Sequence, residues 1–236
     1  MRSIFPADAE ARLKLDFLGS ANGRYFVEVG ANQPHALSQT WELEQRGWTG
    51  VLIEPQPELA NRLRRERTAQ VFAVACSSRA SSGSSMTLHL AGPHSSFDSN
   101  LNLAKVKPHG SISVPLLSLD EILLAAGAAQ IDFMSIDVEG HELEVLDGFD
   151  LPRWRPRLLL IEDLLLNLRL HRYLTGRGYR WVRRTGINNW YVPEDTPVHL
   201  GLHGHWQFLK KFYLGTPLRR WRHAYRRRHT VAHTVT

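Results

Sequence analysis

The sequence predicts a seven-stranded, three-layer α/β fold, on three observations. From Tyr25 onward, short apolar runs alternate with helical patterns, as a parallel sheet with crossover helices requires. The first run, YFVEV (25–29), breaks at Gly30, where a strand can turn into a helix. The last two runs, GYRWVRR (178–184) and NNWYVP (188–193), are separated only by TGI and read as an antiparallel hairpin. With 236 residues and 43% hydrophobic content, the chain is long enough for one domain with a full core. The expected divisions are an N-terminal helical segment (1–23), a central domain (24–198) and a basic aromatic tail (199–236).

Tyr25, Phe26, Val27 and Val29 suit a buried strand, and Glu28 among them is costly unless something satisfies it. A polar, partly wet ligand crevice would do so, and so would a pair with Arg24. ALSQTWELEQRG (36–47) follows as a helix, with Leu37, Trp41 and Leu43 or Glu44 as its stripe. Pro34 suits its first turn and Gly47 its exit. GVLIEP (50–55) is the second strand, PELANRLRRER (57–67) the next helix and QVFAVA (70–75) the third strand. Beyond it, MTLHL (86–90) and SISVPLL (111–117) form a hairpin-like insertion among polar loops. SLDE (118–121) has the capping-box form, with Ser118 as N-cap and Glu121 three residues on, opening the helix ILLAAG. DFMSID (132–137) and RLLLIE (157–162) complete the parallel strands.

The formal charge of +6 is unevenly placed. Eight basic side chains and no acids lie after Val198, which leaves residues 1–198 at a net −2. In the tail, Thr216-Pro217 opens a helix on which Leu218, Trp221 and Tyr225 share one face among arginines. Such a basic amphipathic helix suits an anionic membrane surface; nucleic acid, a partner subunit or plain solvation are its other readings. The lone cysteine, Cys76, excludes an intramolecular disulfide. The N-terminus lacks an apolar h-region, and no uncharged run approaches the ~20 residues of a spanning helix. The expectation is a soluble, cytoplasmic protein with peripheral association at the inner membrane face.

In open α/β sheets, ligands bind beyond the carboxyl ends of the strands at the switch point. There the first strand ends in Glu28-Val29-Gly30-Ala31-Asn32, and the second in Glu54-Pro55, 24 residues after Gly30. That spacing suits an acid holding a ribose diol. A dinucleotide would need G-x-G-x-x-G to cradle its pyrophosphate, and G-A-N-Q-P-H has one glycine. A nucleoside without phosphates fits better, and S-adenosylmethionine is the common one. Its amino-acid end would lie over Gly30, with Ala75 and Cys76 near the adenine edge.

FVEVGAN (26–32), WTGVLIEPQPELANRL (48–63), FAVACSS (72–78), VPLLSLDEIL (114–123), IDFMSIDVEGHELEVLDGFD (131–150) and RPRLLLIED (155–163) follow one another over about residues 24–193. In this the chain resembles FkbM-type S-adenosylmethionine-dependent methyltransferases. The resemblance implies a class I methyltransferase (Rossmann-like) fold and methyl transfer to a hydroxyl oxygen. It also implies a sugar of a polysaccharide, glycolipid or natural product as acceptor, and places Asp137 and Glu139 along the cofactor and acceptor site.

A sugar hydroxyl is a poor nucleophile, so a base or a metal should help remove its proton. His141, at the start of the helix after the Glu139-Gly140 turn, is the first candidate base, against a helix-capping role. Asp137 is the second, ahead of His35 and His94. Asp137 with Glu162 and Asp163 could converge on Mg²⁺, which prefers carboxylate oxygens; Glu162 could instead bind substrate hydroxyls or act as base itself. Ser95 and Ser96 in the loop HSSFDSNLN could touch ligand or merely be exposed. Two further readings are an RNA methyltransferase using the basic tail, and a cofactor-binding scaffold without catalysis.

Overall fold

A computed structural model of the chain describes residues 7–19, 22–92, 95–97, 108–162, 168–198, 206 and 209. The basic tail therefore lies almost wholly outside the described residues. The elements in chain order are α1 (Ala7–Leu18), β1 (Tyr25–Val29), α2 (Trp41–Glu44), β2 (Thr49–Ile53), α3 (Pro57–Glu66) and β3 (Gln70–Phe72). Then come β4 (Ala75–Ser77), β5 (Ser85–Leu90), β6 (Gly110–Ser118), α4 (Leu119–Ala125), β7 (Phe133–Ile136), α5 (Glu142–Asp147) and α6 (Leu151–Trp154). The last are β8 (Leu158–Glu162), α7 (Leu168–Thr175), β9 (Tyr179–Thr185) and β10 (Asn188–Pro193).

Seven strands form one sheet in the order β3-β2-β1-β7-β8-β10-β9. The first five are parallel, and β10 runs antiparallel to both β8 and β9. The order reverses between β1 and β7, so the switch point lies where the chain leaves Val29 and Ile136. This is the seven-stranded, mostly parallel sheet with a C-terminal antiparallel pair that the sequence predicted.

Strand alternation explains the three layers. Val27, Val29, Met134, Ile136, Leu159 and Ile161 point to the face covered by α4–α7. Phe26, Leu52, Phe133, Leu158 and Leu160 point to the opposite face, where Leu18 of α1, Leu43 of α2 and Leu63 of α3 meet them. Strands apolar on both faces are what a sheet buried between helices needs. The helix after the insertion starts where its capping box said. Ser118 Oγ accepts from Glu121 N–H at 3.3 Å, and Glu121 Oε2 accepts from Ser118 N–H at 3.0 Å.

Two expectations need correction. The helix over 36–47 shrinks to Trp41–Glu44, and Leu37 is 78% exposed with φ +67°. The cause is local: Ser38 and Thr40 hydroxyls and the Gln39 N–H turn toward Glu28 instead of joining a helical ladder. The third strand also stops early. Residues Ala75–Ser77 leave the main sheet as β4 and pair in parallel with β6, whose other edge takes β5 antiparallel. The insertion is thus a second, three-stranded sheet rather than a free hairpin.

Ser118→Ala, which removes one half of the capping box, is expected to cost about 1 kcal/mol. Urea unfolding should show a lower midpoint with an unchanged slope.

Candidate active site

The site begins with a close approach of two chain segments. As β1 ends, the Gly30 and Ala31 N–H groups donate to Ile53 O of β2 at 2.9 and 3.0 Å. On the other side, Asp137 N–H donates to Val29 O at 3.0 Å. Gly30 has φ +82°, and a Cβ there would sit 1.9 Å from Asp137 O. Only glycine fits, for both reasons. The chain then turns through Asn32, itself at φ +50°.

Glu54, just beyond β2, is 3% exposed. Its Oε2 accepts from Asn32 N–H and its Oε1 from Gln56 N–H, each at 2.9 Å. A third bond comes from the Gln56 side chain, which leaves part of the carboxylate's acceptor capacity for a ligand hydroxyl. Burial raises the pKa of Glu54, while the backbone bonds from Gln56 and Asn32 and the Gln56 side chain hold it back.

A cavity of about 440 Å³ lies over this rim. It is lined by Gly30, Ala31, Asn32, Glu54, Pro55, Ala75, Cys76, Asp137, Glu139 and Glu162 among the residues expected from the sequence. His35 and Ser95 also line it; Ser96 instead donates to Glu139 O at 3.2 Å, and His94 lies outside the described residues. Cys76 is buried, and burial pushes its thiol well above the usual range, which makes it a packing residue rather than a nucleophile.

Two expected residues do not line the cavity. Glu28 is 3% exposed and sits beneath it. Its Oε2 accepts from Thr40 Oγ1 at 2.5 Å and Ser38 Oγ at 2.9 Å, and its Oε1 from Gln39 N–H at 2.6 Å. Arg67 continues the network: it donates to Thr40 Oγ1 at 3.0 Å, to Pro34 O at 2.9 Å and to Glu44 Oε2 at 2.7 Å. Glu28 therefore pins the loop that walls the cavity, neither meeting a ligand nor pairing with Arg24, whose partner is Asp132 at 3.9 Å. His141 is the second. Its Nε2 lies 3.3 Å from Ser77 Oγ and its ring 5.1 Å from that of Phe97, and burial lowers its pKa. It stands at the N-cap of α5, facing the second sheet.

The acids at the ends of β7 and β8 do converge. Glu162 is hydrogen-bonded to Asp137, and its pKa is pushed up to about 11. Burial is the main cause, followed by the bond to Asp137 and the charges of Asp137, Glu139 and Glu142. Glu162 thus keeps its proton at neutral pH. Asp163, the third member of the expected metal set, lies outside the described residues. Among the described residues no three His, Cys, Asp or Glu side chains are grouped to hold a metal ion. The two carboxylates present are joined by a hydrogen bond.

Sequence reasoning missed the far wall. Lys14 of α1 and Thr185 and Asn188 at the β9–β10 turn also line the cavity, with Gln39 and Glu10 between them. Glu10 accepts from Thr185 Oγ1, and from Asn188 Nδ2 at 3.1 Å, which ties α1 to the hairpin. Lys14, flanked by Leu13 and Leu15 in α1, was the one available signal.

The mostly parallel sheet in this strand order, with its antiparallel last strand, has the class I methyltransferase architecture, and the cavity lies at its switch point. The model of the methyltransferase FkbM domain matches residues 28–181, more than half the chain, and the protein belongs to that family. A structure of methyltransferase FkbM from Methylobacillus flagellatus KT aligns at 17% identity and TM-score 0.46, over 72% of this chain and 43% of that one. A candidate RNA methyltransferase from Pyrococcus horikoshii aligns at 9% identity and TM-score 0.40, over 81% and 87%. The chain thus spans less than half the length of the first of these relatives. No curated protein matches the sequence.

The raised pKa of Glu162 carries a stability consequence. The folded state holds a proton up to about pH 11 that the unfolded chain loses near 4.5. Its contribution is complete below the lower value and is lost as pH rises toward the upper one. Glu162→Gln, which copies the protonated form, is expected to remove this loss. Melting at pH 8 should rise by at least ~2 °C, the equivalent of roughly 1 kcal/mol in a chain of this size.

Proposed function

We propose that this protein is an S-adenosylmethionine-dependent O-methyltransferase acting on a saccharide hydroxyl. The observation that carries the reading is the pairing of Glu54, buried at the end of β2 with acceptor capacity to spare, and the Asp137–Glu162 pair across the Gly30 turn. Glu54 holds the ribose diol, and the flat Gly30–Ala31 backbone leaves room for the amino-acid end. When bound, the donor supplies an electrophilic methyl group on a sulfonium and leaves as its neutral thioether.

The chain's own residues position and deprotonate the acceptor. Asp137 stands where the donor and acceptor meet, and takes the hydroxyl proton as the oxygen forms its bond to the methyl carbon. Glu162, protonated, donates a hydrogen bond to Asp137 and fixes its carboxylate. His141 is set aside as base because its ring faces Ser77 and Phe97. Holding oxygen, carbon and sulfur collinear is where most of the rate originates. Thr185, Asn188, Gln39 and Glu42 offer hydrogen bonds to a polyol, and Leu37 and Ile187 an apolar lip for a sugar face. This polar wall favours a small hydroxylated acceptor over RNA.

Calorimetric titration with S-adenosylmethionine, followed by turnover on a panel of saccharides, tests this. Asp137→Asn is expected to lower kcat by about 10²- to 10⁴-fold. Glu162→Gln should stay within about tenfold of wild type, since glutamine also donates to Asp137. A dead Glu162→Gln restored by no substitution but aspartate would favour a metal-holding role, and chelation would then abolish turnover.

The tail adds a membrane-surface proposal, on the sequence spacing of Leu218, Trp221 and Tyr225 among arginines. Among the described residues no helix is long and apolar enough to cross a membrane. Full-length protein is expected to sediment with anionic vesicles and a truncation after Val198 to stay in the supernatant, with added salt weakening the binding.

A further inference from the structure

We infer that Lys14 is the binding partner of the carboxylate at the amino-acid end of the bound nucleoside, so that α1 completes the ligand site from outside the FkbM domain. The inference rests on the methyl-donor reading above.

Lys14 is 4% exposed. Its ammonium donates to Gln39 O at 2.6 Å and Gln39 Oε1 at 2.8 Å, both neutral acceptors. An ammonium carries three N–H donors, which leaves one to spend on a ligand. No carboxylate of the described residues comes within ion-pairing distance of it; Glu10, Glu28 and Glu42 act on it only through space. A buried charge without a paired counter-charge is costly, by several kcal/mol in general. Such a group is expected either to give up its proton or to meet an anion, and burial does lower the pKa of Lys14.

The cavity offers that anion one place. Of the Lys and Arg side chains among the described residues, Lys14 alone lines it, against the carboxylates of Glu10, Glu42, Glu54, Asp137, Glu139 and Glu162. A ligand carboxylate placed against the rim acids would be repelled. Placed against α1, it would meet a cation already dehydrated and held by Gln39, with the neighbouring Glu10 carboxylate already engaged by Thr185 and Asn188. Gln39 is in turn fixed by its own N–H on Glu28, so Lys14 is coupled to the end of β1. The Lys14 ammonium also lies 5.4 Å from the centre of the Phe133 ring, on the α1 face of the strands that meet at the switch point. The ligand's amino-acid end, laid over Gly30, points into this region.

The test titrates the full chain and its Lys14→Met variant with S-adenosylhomocysteine and with 5′-methylthioadenosine, which keeps the nucleoside and thioether but lacks the amino-acid end. The variant is expected to bind the first at least about tenfold more weakly and the second within about twofold of wild type, as loss of one charge-assisted contact requires. Equal binding of S-adenosylhomocysteine by both proteins would overturn the inference. Parallel losses for both ligands would overturn it as well, by assigning Lys14 to holding the Gln39 loop. If the wild type binds neither ligand, the methyl-donor reading fails with it. Should Lys14→Met not fold, a crystal structure of the wild type with S-adenosylhomocysteine decides: the carboxylate within hydrogen-bonding distance of Lys14 Nζ sustains the inference, and a carboxylate held elsewhere ends it.

Discussion

The contact between Gly30 and the Asp137 carbonyl governs the rest of this molecule. It brings the ends of β1 and β7 so close that a methyl group would not fit between them. Because Asp137 N–H is tied to Val29 O, the backbone of Asp137 is anchored to the sheet one residue beyond β7. The same turn points Asn32 N–H at Glu54 and so fixes the acid that closes β2. Two acidic positions are thus held by backbone geometry on either side of one glycine. Sites built on rigid elements in this way keep their geometry through binding.

Beneath that rim, Glu28 acts in the opposite sense to a ligand contact. Its oxygens are consumed by Ser38, Gln39 and Thr40, and Arg67 links those hydroxyls to Glu44 and Pro34 O. A buried network of this kind is safe only when every member is satisfied. The reward is a fixed loop along one wall of the cavity. Above it, the lining is rich in carboxylates, and burial, with the neighbouring Asp137 second, pushes the pKa of Glu162 up. A sulfonium, the charge the proposed donor carries, is electrostatically suited to such a lining, while its carboxylate is suited only to the side where Lys14 stands.

How much of this could be read beforehand follows from the range of the forces involved. Strand periodicity and the Ser118–Glu121 spacing are local, and β1, β2, β7, β8, α4 and the β9–β10 hairpin all stand where the pattern put them. Glu54, Asp137 and Glu162 were legible because a strand end fixes its own rim residue. Loop 33–40 was not: its helical stripe lost to hydroxyl bonds with an acid ten residues away. Leaving the sheet after Phe72 likewise depended on β6, some forty residues downstream, offering a free edge. Lys14 reaches the cavity through the docking of α1, and Thr185 and Asn188 through the β9–β10 turn beside it, long-range placements that local periodicity does not encode.

The account stands on one grip, that of the Glu54 carboxylate on a ribose diol. Calorimetry of wild type and Glu54→Gln with S-adenosylhomocysteine and its 2′-deoxy analogue isolates it as a double-mutant cycle. The account expects the wild type to lose about tenfold or more on removal of the hydroxyl, and Glu54→Gln to lose far less. Equal binding of both ligands by the wild type would place the nucleoside somewhere other than beside Glu54.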